Sequence, residues 1–136
     1  MSSNFLDIDH IGVAVNDLAA AVATYRDTLG FEVSGGETLP NRGIEVRFAA
    51  VGQSRIELIA PSRADSEVSG FLTKRGEGLH HICLRVADLD QTLAKMRQQG
   101  ARLIDETPRM GAHGRRVAFV HPKGAHGVLL ELAEIP

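Results

Sequence analysis

The sequence predicts an α+β domain built from two β-α-β-β-β modules, and an internal repeat is the main observation behind this prediction. Residues 10–18 read HIGVAVNDL and residues 81–89 read HICLRVADL, so matching residues recur 71 positions apart. In each copy a segment of period two is followed by a segment of helical period, which is the second observation. Two copies are typical of duplicated halves packed about a pseudo-twofold axis, since a solenoid needs more copies. We therefore expect a single domain, 1–136, with modules at 9–60 and 80–134 and a linker with a short helix at 61–79.

Length and composition limit the class of protein. A chain of 136 residues with 43% hydrophobic and 24% charged residues is typical of one globular domain. No apolar run approaches the roughly 20 residues needed to span a bilayer. The net charge of -2 and the low aromatic content of 4% favour neither nucleic acid nor an anionic membrane as a partner. The lone cysteine, Cys83, excludes an intrachain disulfide and, with no visible signal peptide, predicts a cytoplasmic protein.

Each module begins with a strand that leads into a helix. Aliphatic residues alternate along 11–15 and again along 82–86. Asp17 and Asp88 follow these strands and are good N-caps, because a carboxylate accepts hydrogen bonds from the free amides of the first helical turn. Glycines at positions 30 and 100 then predict the helix ends. The predicted apolar helix faces consist of Leu18, Ala21, Val22, Tyr25 and Leu29 in the first module and of Leu89, Leu93 and Met96 in the second.

Further strands complete each module. Segments 46–51 and 55–60 flank Gly52-Gln53-Ser54 and predict a hairpin. In the second module the corresponding strands are predicted at 116–121 and 128–133. The linker helix is predicted at 66–75, with Ser66 as its N-cap.

Two histidines and two glutamates occupy equivalent places in the two modules. His10 and His81 alternate with the aliphatic residues of their strands, so each faces away from the helix side of its sheet. Glu57 and Glu131 alternate with aliphatic residues in the last strand of each module. A carboxylate buried without a cation, a proton or strong donors is costly, and a divalent metal would supply the cation. Two imidazoles and two carboxylates suit Zn, Co, Ni, Mn or Fe.

Taken singly, each of these histidines and glutamates would be interpreted as a structural residue and not as a metal ligand. A histidine in a strand is more often a hydrogen-bonded core or surface residue than a ligand, and a glutamate in a strand usually faces solvent. The recurrence of the whole set at equivalent places in both modules favours the metal interpretation.

Beyond these patterns, the sequence resembles the vicinal oxygen chelate superfamily and, within it, the methylmalonyl-CoA epimerase family. The similar segments cover nearly the whole chain: DHIGVAVNDL at 9–18, LGFEV at 29–33, RGEGLHHICLRVADL at 75–89, RLIDETPRMGAHGRRVAFVHPKG at 102–124 and GVLLEL at 127–132. The resemblance implies a curved mixed sheet that holds a divalent metal (Co, Zn, Mn, Ni or Mg) in a central cup. It also implies an acyl-CoA substrate and a homodimer.

Site residues follow from the same resemblance. His10, His81 and Glu131 match metal-ligand positions of the family, and Glu57 matches a fourth position where some members have glutamine. The implied reaction interconverts (R)- and (S)-methylmalonyl-CoA by removing the α-proton and returning it to the opposite face of a metal-stabilised enolate. Glu131 matches one acid–base residue.

The second acid–base residue is harder to place. Some family members have a glutamate three residues after a glycine that corresponds to Gly43, but Val46 occupies that position here. Glu45 lies one residue earlier and is our candidate for the second proton transfer, with Glu57, His113 or metal-bound water as alternatives.

Other positions and other functions also fit the pattern. The loop Gly111-Ala-His113-Gly114 resembles a substrate loop of the family, Cys83 is expected to be a buried filler and His80 a structural or surface residue. Cations that could contact CoA phosphates are Arg115, Arg116, Lys123, Lys74 and Arg75. A glyoxalase I-type lyase acting on a glutathione hemithioacetal, a ring-cleaving dioxygenase and a non-enzymatic small-molecule binder are the competing functions, because one scaffold can host all of them.

Overall fold

The computed structural model describes residues 4–134 and divides the chain into two compact units. The N-terminal unit is His10–His80, and the C-terminal unit combines Met1–Asp9 with His81–Pro136. The two terminal segments of the predicted domain 1–136, residues 1–3 and 135–136, lie outside the described residues. No helix among the described residues is both long enough and apolar enough to cross a membrane.

Four strands and two helices make up the N-terminal unit. The strands are hydrogen bonded in the order β2-β3-β4-β1, with β1 parallel to β4 and the other neighbours antiparallel. The first part of β1, up to Asp9, belongs to the C-terminal unit. The elements are β1 (Phe5–Ala14), α1 (Leu18–Ala23), β2 (Val33–Leu39), β3 (Ile44–Val51), β4 (Ser54–Pro61) and α2 (Glu67–Arg75).

The C-terminal unit repeats this arrangement. Its strands are hydrogen bonded in the order β5-β8-β7-β6, with β5 parallel to β8 and the other neighbours antiparallel. The first three residues of β5 belong to the N-terminal unit. The elements are β5 (Gly78–Val86), α3 (Leu89–Gln98), β6 (Arg109–Met110), β7 (Arg116–Val120) and β8 (Leu130–Glu134). The predicted β-α-β-β-β order is therefore confirmed in both modules.

Local signals in the sequence fix the helix starts. The carboxylates of Asp17 and Asp88 each accept a hydrogen bond 3.0 Å long, from the backbone amides of Ala20 and Gln91. The hydroxyl of Ser66 caps α2 in the same way. Each such cap stabilises its helix by about 0.5–2 kcal/mol. Because all three capping hydrogen bonds form, the predicted helix starts are confirmed.

The first helix departs from its predicted apolar face. After six α-helical residues it continues as a π-helical segment, Thr24–Thr28, in which the amide of Leu29 bonds to the carbonyl of Thr24. This turn contains one more residue than an α-helical turn, so it rotates the following side chains by roughly 100°. Leu29 is consequently 57% exposed, and the prediction that it completes the apolar face is wrong.

The core of the C-terminal unit lies between α3 and its sheet. Leu89 and Leu93 pack there with Val86, Ala118 and Leu132, and Met96 covers the edge of this cluster. Burying each leucine side chain stabilises the fold by roughly 1.5–3 kcal/mol. Because Leu89, Leu93 and Met96 all contact this cluster, the predicted apolar face of α3 is confirmed.

The corresponding strand of the N-terminal unit is less completely covered. Ile11 is 36% exposed, against our expectation that the aliphatic face of β1 packs on the helices. Val13 and Val15 instead line a cavity of about 380 Å³ together with α1.

The predicted hairpin forms between β3 and β4. The strands pair from Val51 with Ser54 back to Ile44 with Pro61, without a register shift. Gly52 opens the turn with φ 55°, a left-handed conformation that glycine adopts without steric cost. This continuous register determines which side chains of β3 and β4 share a face.

Candidate functional site

A buried histidine–glutamate pair lies in the N-terminal unit. Strands β1 and β4 run in parallel with Gly12 opposite Glu57, so His10 and Glu57 project from the same face of the sheet. Nε2 of His10 lies 3.3 Å from Oε1 of Glu57, and each residue is only 6% exposed. The sequence prediction that these two side chains share a face is confirmed.

The C-terminal unit contains an equivalent pair. Cys83 lies opposite Glu131 in the parallel pair of β5 and β8, and His81 precedes Cys83 by two residues, as His10 precedes Gly12. Nε2 of His81 lies 2.9 Å from Oε1 of Glu131, with both residues buried. The duplicated sequence therefore folds with the same register in both units.

The donor atoms in the two pairs are suited to a divalent metal. Each pair presents an imidazole nitrogen and a carboxylate oxygen, which are common ligands of Zn, Co, Ni, Mn and Fe. Burial makes an uncompensated carboxylate expensive, and a cation removes that cost. The residues present thus fit the metal that the sequence predicts.

A phenylalanine packs edge-on against each histidine, a feature that our sequence analysis missed. The ring centroids of His10 and Phe48 are 6.1 Å apart at 76°, and those of His81 and Phe119 are 6.0 Å apart at 78°. Such edge-to-face contacts restrict how an imidazole ring can rotate. The signal was present in the sequence, because Phe48 and Phe119 are also 71 positions apart.

Glu45 does not join these residues. In the register of β3 and β4, Phe48 lies opposite Glu57 whereas Glu45 lies opposite Ala60. Side chains alternate along a strand, so Glu45 projects from the other face of the sheet. This register does not support the predicted role of Glu45 in proton transfer.

The segment Gly111-Ala-His113-Gly114 forms a short 3-10 turn in the C-terminal unit. His113 is exposed and adopts φ 59°, an uncommon backbone conformation for a residue other than glycine. Arg115 follows the turn and forms an ion pair with Asp9, with 3.0 Å between Nη1 and Oδ2. The ion pair holds the end of the turn beside the first strand.

Several other predicted positions have structural partners. Arg116, one of the cations proposed for CoA phosphates, bonds to Asp90 and Glu134, and these hydrogen bonds raise its pKa. Arg75 lies with its guanidinium carbon 5.7 Å from the Phe71 ring centroid. Cys83 is fully buried, as predicted for a filler.

Two histidines outside the pairs have structural contacts. The Nδ1 atom of His121 accepts a hydrogen bond from the amide of Lys123. The ring of His80 packs edge-on against Phe71, with 4.8 Å between centroids. The prediction of a structural role for His80 is thus consistent with its contact.

The family model described as Glyoxalase/Bleomycin resistance protein/Dioxygenase superfamily matches residues 9–119. The ethylmalonyl-CoA/methylmalonyl-CoA epimerase of Cereibacter sphaeroides is 40% identical over 130 residues, which cover 94% of this chain and 97% of that protein. The mitochondrial methylmalonyl-CoA epimerase of Homo sapiens is 38% identical over 128 residues, which cover 93% of this chain and 73% of that protein.

Solved structures agree with this result. The crystal structure of methylmalonyl-CoA epimerase from Mycobacterium tuberculosis superposes with a TM-score of 0.94 at 40% identity, covering 100% of this chain and 92% of that chain. A variant of the Streptomyces coelicolor methylmalonyl-CoA epimerase in complex with 2-nitronate-propionyl-CoA superposes with a TM-score of 0.91 at 42% identity. The match covers 96% of this chain and 94% of that chain. These likenesses confirm the predicted fold class. The chain therefore belongs to the glyoxalase/bleomycin resistance/dioxygenase superfamily and, within it, to the methylmalonyl-CoA epimerase family.

Proposed function

We propose that this protein interconverts (R)- and (S)-methylmalonyl-CoA by moving the proton on the α-carbon of the thioester. The observation that carries the proposal is the duplicated, buried histidine–glutamate pair in a chain of the epimerase family. The first relative named above also has ethylmalonyl-CoA in its name, so ethylmalonyl-CoA is the second substrate to test.

His10, Glu57, His81 and Glu131 are the residues that we propose as ligands of one divalent metal ion. Their burial and their donor types support this assignment, and Co, Zn, Mn, Ni and Mg are the candidates. When bound, such an ion would act as a Lewis acid toward the oxygen on which negative charge develops.

Proton transfer requires groups on both sides of the α-carbon. Glu131 is our candidate for one transfer, because its carboxylate is buried and held beside His81. For the other transfer the register favours Glu57 over Glu45, since Glu57 shares a face with His10. Each positioned acid–base group contributes about 10²–10⁴-fold to the rate in typical enzymes.

Phe48 and Phe119 would position the imidazoles in this scheme. Each ring contacts one histidine at its edge and is itself buried. A fixed imidazole needs no reordering when substrate binds, which preserves the geometry of the reacting groups.

The decisive experiment is exchange of the α-proton of methylmalonyl-CoA for deuterium in heavy water, followed by mass spectrometry. We expect exchange that depends on added divalent metal and is lost in His10→Ala and in Glu131→Gln. His80→Ala is the matched control, because this neighbouring histidine packs against Phe71 and is not among the proposed ligands. Full exchange in both ligand variants, or none in the wild-type protein with any of the five metals, would refute the proposal.

The partners and the compartment are further proposals. An acyl-CoA ligand is supported by the solved relative that holds 2-nitronate-propionyl-CoA. A homodimer is supported by the exposed apolar side chains of Leu6 and Ile8, which lie two residues apart on β1 and so share a face, since exposed apolar surface often marks an interface. A reducing, cytoplasmic location is supported by the free thiol of Cys83.

A further inference from the structure

A loop carboxylate in the C-terminal unit is bonded to the backbone of Phe119, the residue whose ring contacts His81. Oδ2 of Asp105 accepts a hydrogen bond of 2.8 Å from the Phe119 amide. The amide of Asp105 in turn donates to the Phe119 carbonyl over 3.3 Å. Asp105 follows the antiparallel bridge between Leu103 and Val120, so the loop runs along the edge of β7 at this point. Asp105 therefore restrains both backbone polar groups of Phe119.

The same carboxylate pairs with an arginine that packs on the Phe119 ring. Oδ1 of Asp105 lies 3.3 Å from Nε of Arg109, and the guanidinium carbon of Arg109 lies 5.1 Å from the centroid of the Phe119 ring. A guanidinium over an aromatic face is attracted by the ring quadrupole. Only 14% of the Asp105 side chain is exposed, so solvent screens this ion pair less than it screens a surface pair.

These contacts lead from Asp105 to one of the histidine–glutamate pairs. Phe119 lies opposite Glu131 in the antiparallel pair of β7 and β8, and its ring meets the His81 ring edge-on at 6.0 Å. His81 is in turn 2.9 Å from Glu131. All five residues of this series, Asp105, Arg109, Phe119, His81 and Glu131, belong to the C-terminal unit. Asp105 thus acts on the orientation of His81 through Phe119, at its backbone and at its ring.

The N-terminal unit forms a similar stack from a different position in the sequence. The guanidinium carbon of Arg55 lies 4.2 Å from the centroid of Phe48, whose ring contacts His10. The two phenylalanines are 71 positions apart, whereas Arg55 and Arg109 are 54 positions apart, so the internal repeat does not relate the arginines. An arginine therefore reaches the equivalent ring in each unit from unrelated strand positions, which favours a role connected with that ring.

We infer that Asp105 is a positioning residue for the His81–Glu131 pair, an inference that rests on the proposed metal site and function. Its carboxylate holds Phe119 through the backbone and through Arg109, and the Phe119 ring restricts rotation of the imidazole. Residues outside the ligand set that orient a metal-binding histidine typically contribute about 10–100-fold to metal affinity or activity.

Two variants of Asp105 separate its two contacts. Asp105→Asn keeps a carbonyl oxygen that can accept from the Phe119 amide but lacks the charge that pairs with Arg109, and Asp105→Ala lacks both. Asp88→Ala is the matched control, because it removes a carboxylate from the same unit whose hydrogen bond goes to the amide of Gln91. Thermal unfolding of each variant shows how much stability it has lost, so that effects of stability alone can be recognised.

Cobalt(II) alone, added to the metal-free protein, is the probe. Titration gives its affinity, and the visible absorption spectrum of the cobalt-loaded protein reports the geometry of its ligands. We expect Asp105→Ala to weaken cobalt binding by about 10-fold and to shift the visible bands. Asp105→Asn should lie between Asp105→Ala and the wild-type protein. Asp88→Ala should have the wild-type affinity and spectrum despite a lower melting temperature.

Kinetics with methylmalonyl-CoA at saturating cobalt adds a second readout. Because Asp105 is proposed to act on His81 and not on the substrate, its variants should lower kcat and leave KM unchanged. A variant that only loses stability should change neither constant at temperatures where it is folded.

The outcomes distinguish the inference from the proposed function. Wild-type affinity and spectrum in Asp105→Ala, or the same changes in Asp88→Ala, would overturn the inference and leave the proposed reaction intact. Should Asp105→Ala fail to fold, wild-type values in Asp105→Asn would overturn it equally. Cobalt binding without epimerase activity in the wild-type protein would contradict the proposed reaction alone, since the spectra still test Asp105. A wild-type protein that binds no cobalt would overturn the proposed metal site and the inference with it.

Discussion

Removing His81 should cost stability as well as metal binding. His81→Ala takes away the imidazole 2.9 Å from the carboxylate of Glu131, a residue that is only 5% exposed. Removing the partner of a buried polar group typically costs about 1–3 kcal/mol. For a chain of this size, that loss would lower the melting temperature by roughly 4–12 °C.

A double variant distinguishes the cost of the unpaired Glu131 carboxylate from the cost of the cavity that the His81 imidazole would leave. Glu131→Gln in the His81→Ala background removes the carboxylate charge, so the double variant should be more stable than His81→Ala alone. A cavity left by the imidazole would instead destabilise both variants equally.

Stabilisation by added metal tests the same residue independently. The wild-type protein should gain about 2.7 kcal/mol of stability when free metal is present at 100 times its dissociation constant, and His81→Ala should gain less. Thermal and urea unfolding, each with chelator and with added metal, would measure these differences. The reasoning fails if His81→Ala unfolds like the exposed-residue control His113→Ala, or if metal stabilises both variants by the same amount.

Three other predictions concern separate features. Glu45→Gln should retain deuterium exchange close to that of the wild-type protein, whereas Glu131→Gln should lose about 100-fold or more; comparable losses would show that the strand register misassigns Glu45. Asp88→Ala should destabilise the protein by about 1 kcal/mol through loss of the α3 cap, measured by urea unfolding, and an unchanged midpoint would contradict the role of that hydrogen bond. Ile8→Asp should convert a homodimer into monomers in light scattering after gel filtration, and a dimer that persists would place the interface elsewhere.

Features that depend on neighbouring residues could be predicted from the sequence. The caps at Asp17 and Asp88 involve amides three residues away, so the local pattern was sufficient. The faces of His10 and Glu57 followed from strand alternation, because both strands are regular where these residues lie. The repeat then identified the same pair in the second module.

Features that depend on register or on helix geometry could not be predicted. The face of Glu45 changes with a shift of one residue, and the sequence pattern around Gly43 did not fix that register. The exposure of Leu29 results from a π-helical turn, and the residue types at 24–28 contain no signal that predicts such a turn. The contact of Arg55 with Phe48 joins two strands, so it became visible only when β3 and β4 were aligned.

The parallel pairing of β1 with β4 and of β5 with β8 has a consequence for how the protein refolds. His10 and Glu57 are 47 positions apart in the chain, and His81 and Glu131 are 50 apart, with a helix and a hairpin between the members of each pair. Parallel partners can meet only after such a crossover has closed, which is slower than forming a helix or a hairpin. Chelation should therefore appear late in a refolding time course, after most of the helical circular dichroism has returned, and could serve as a signal that each crossover is complete.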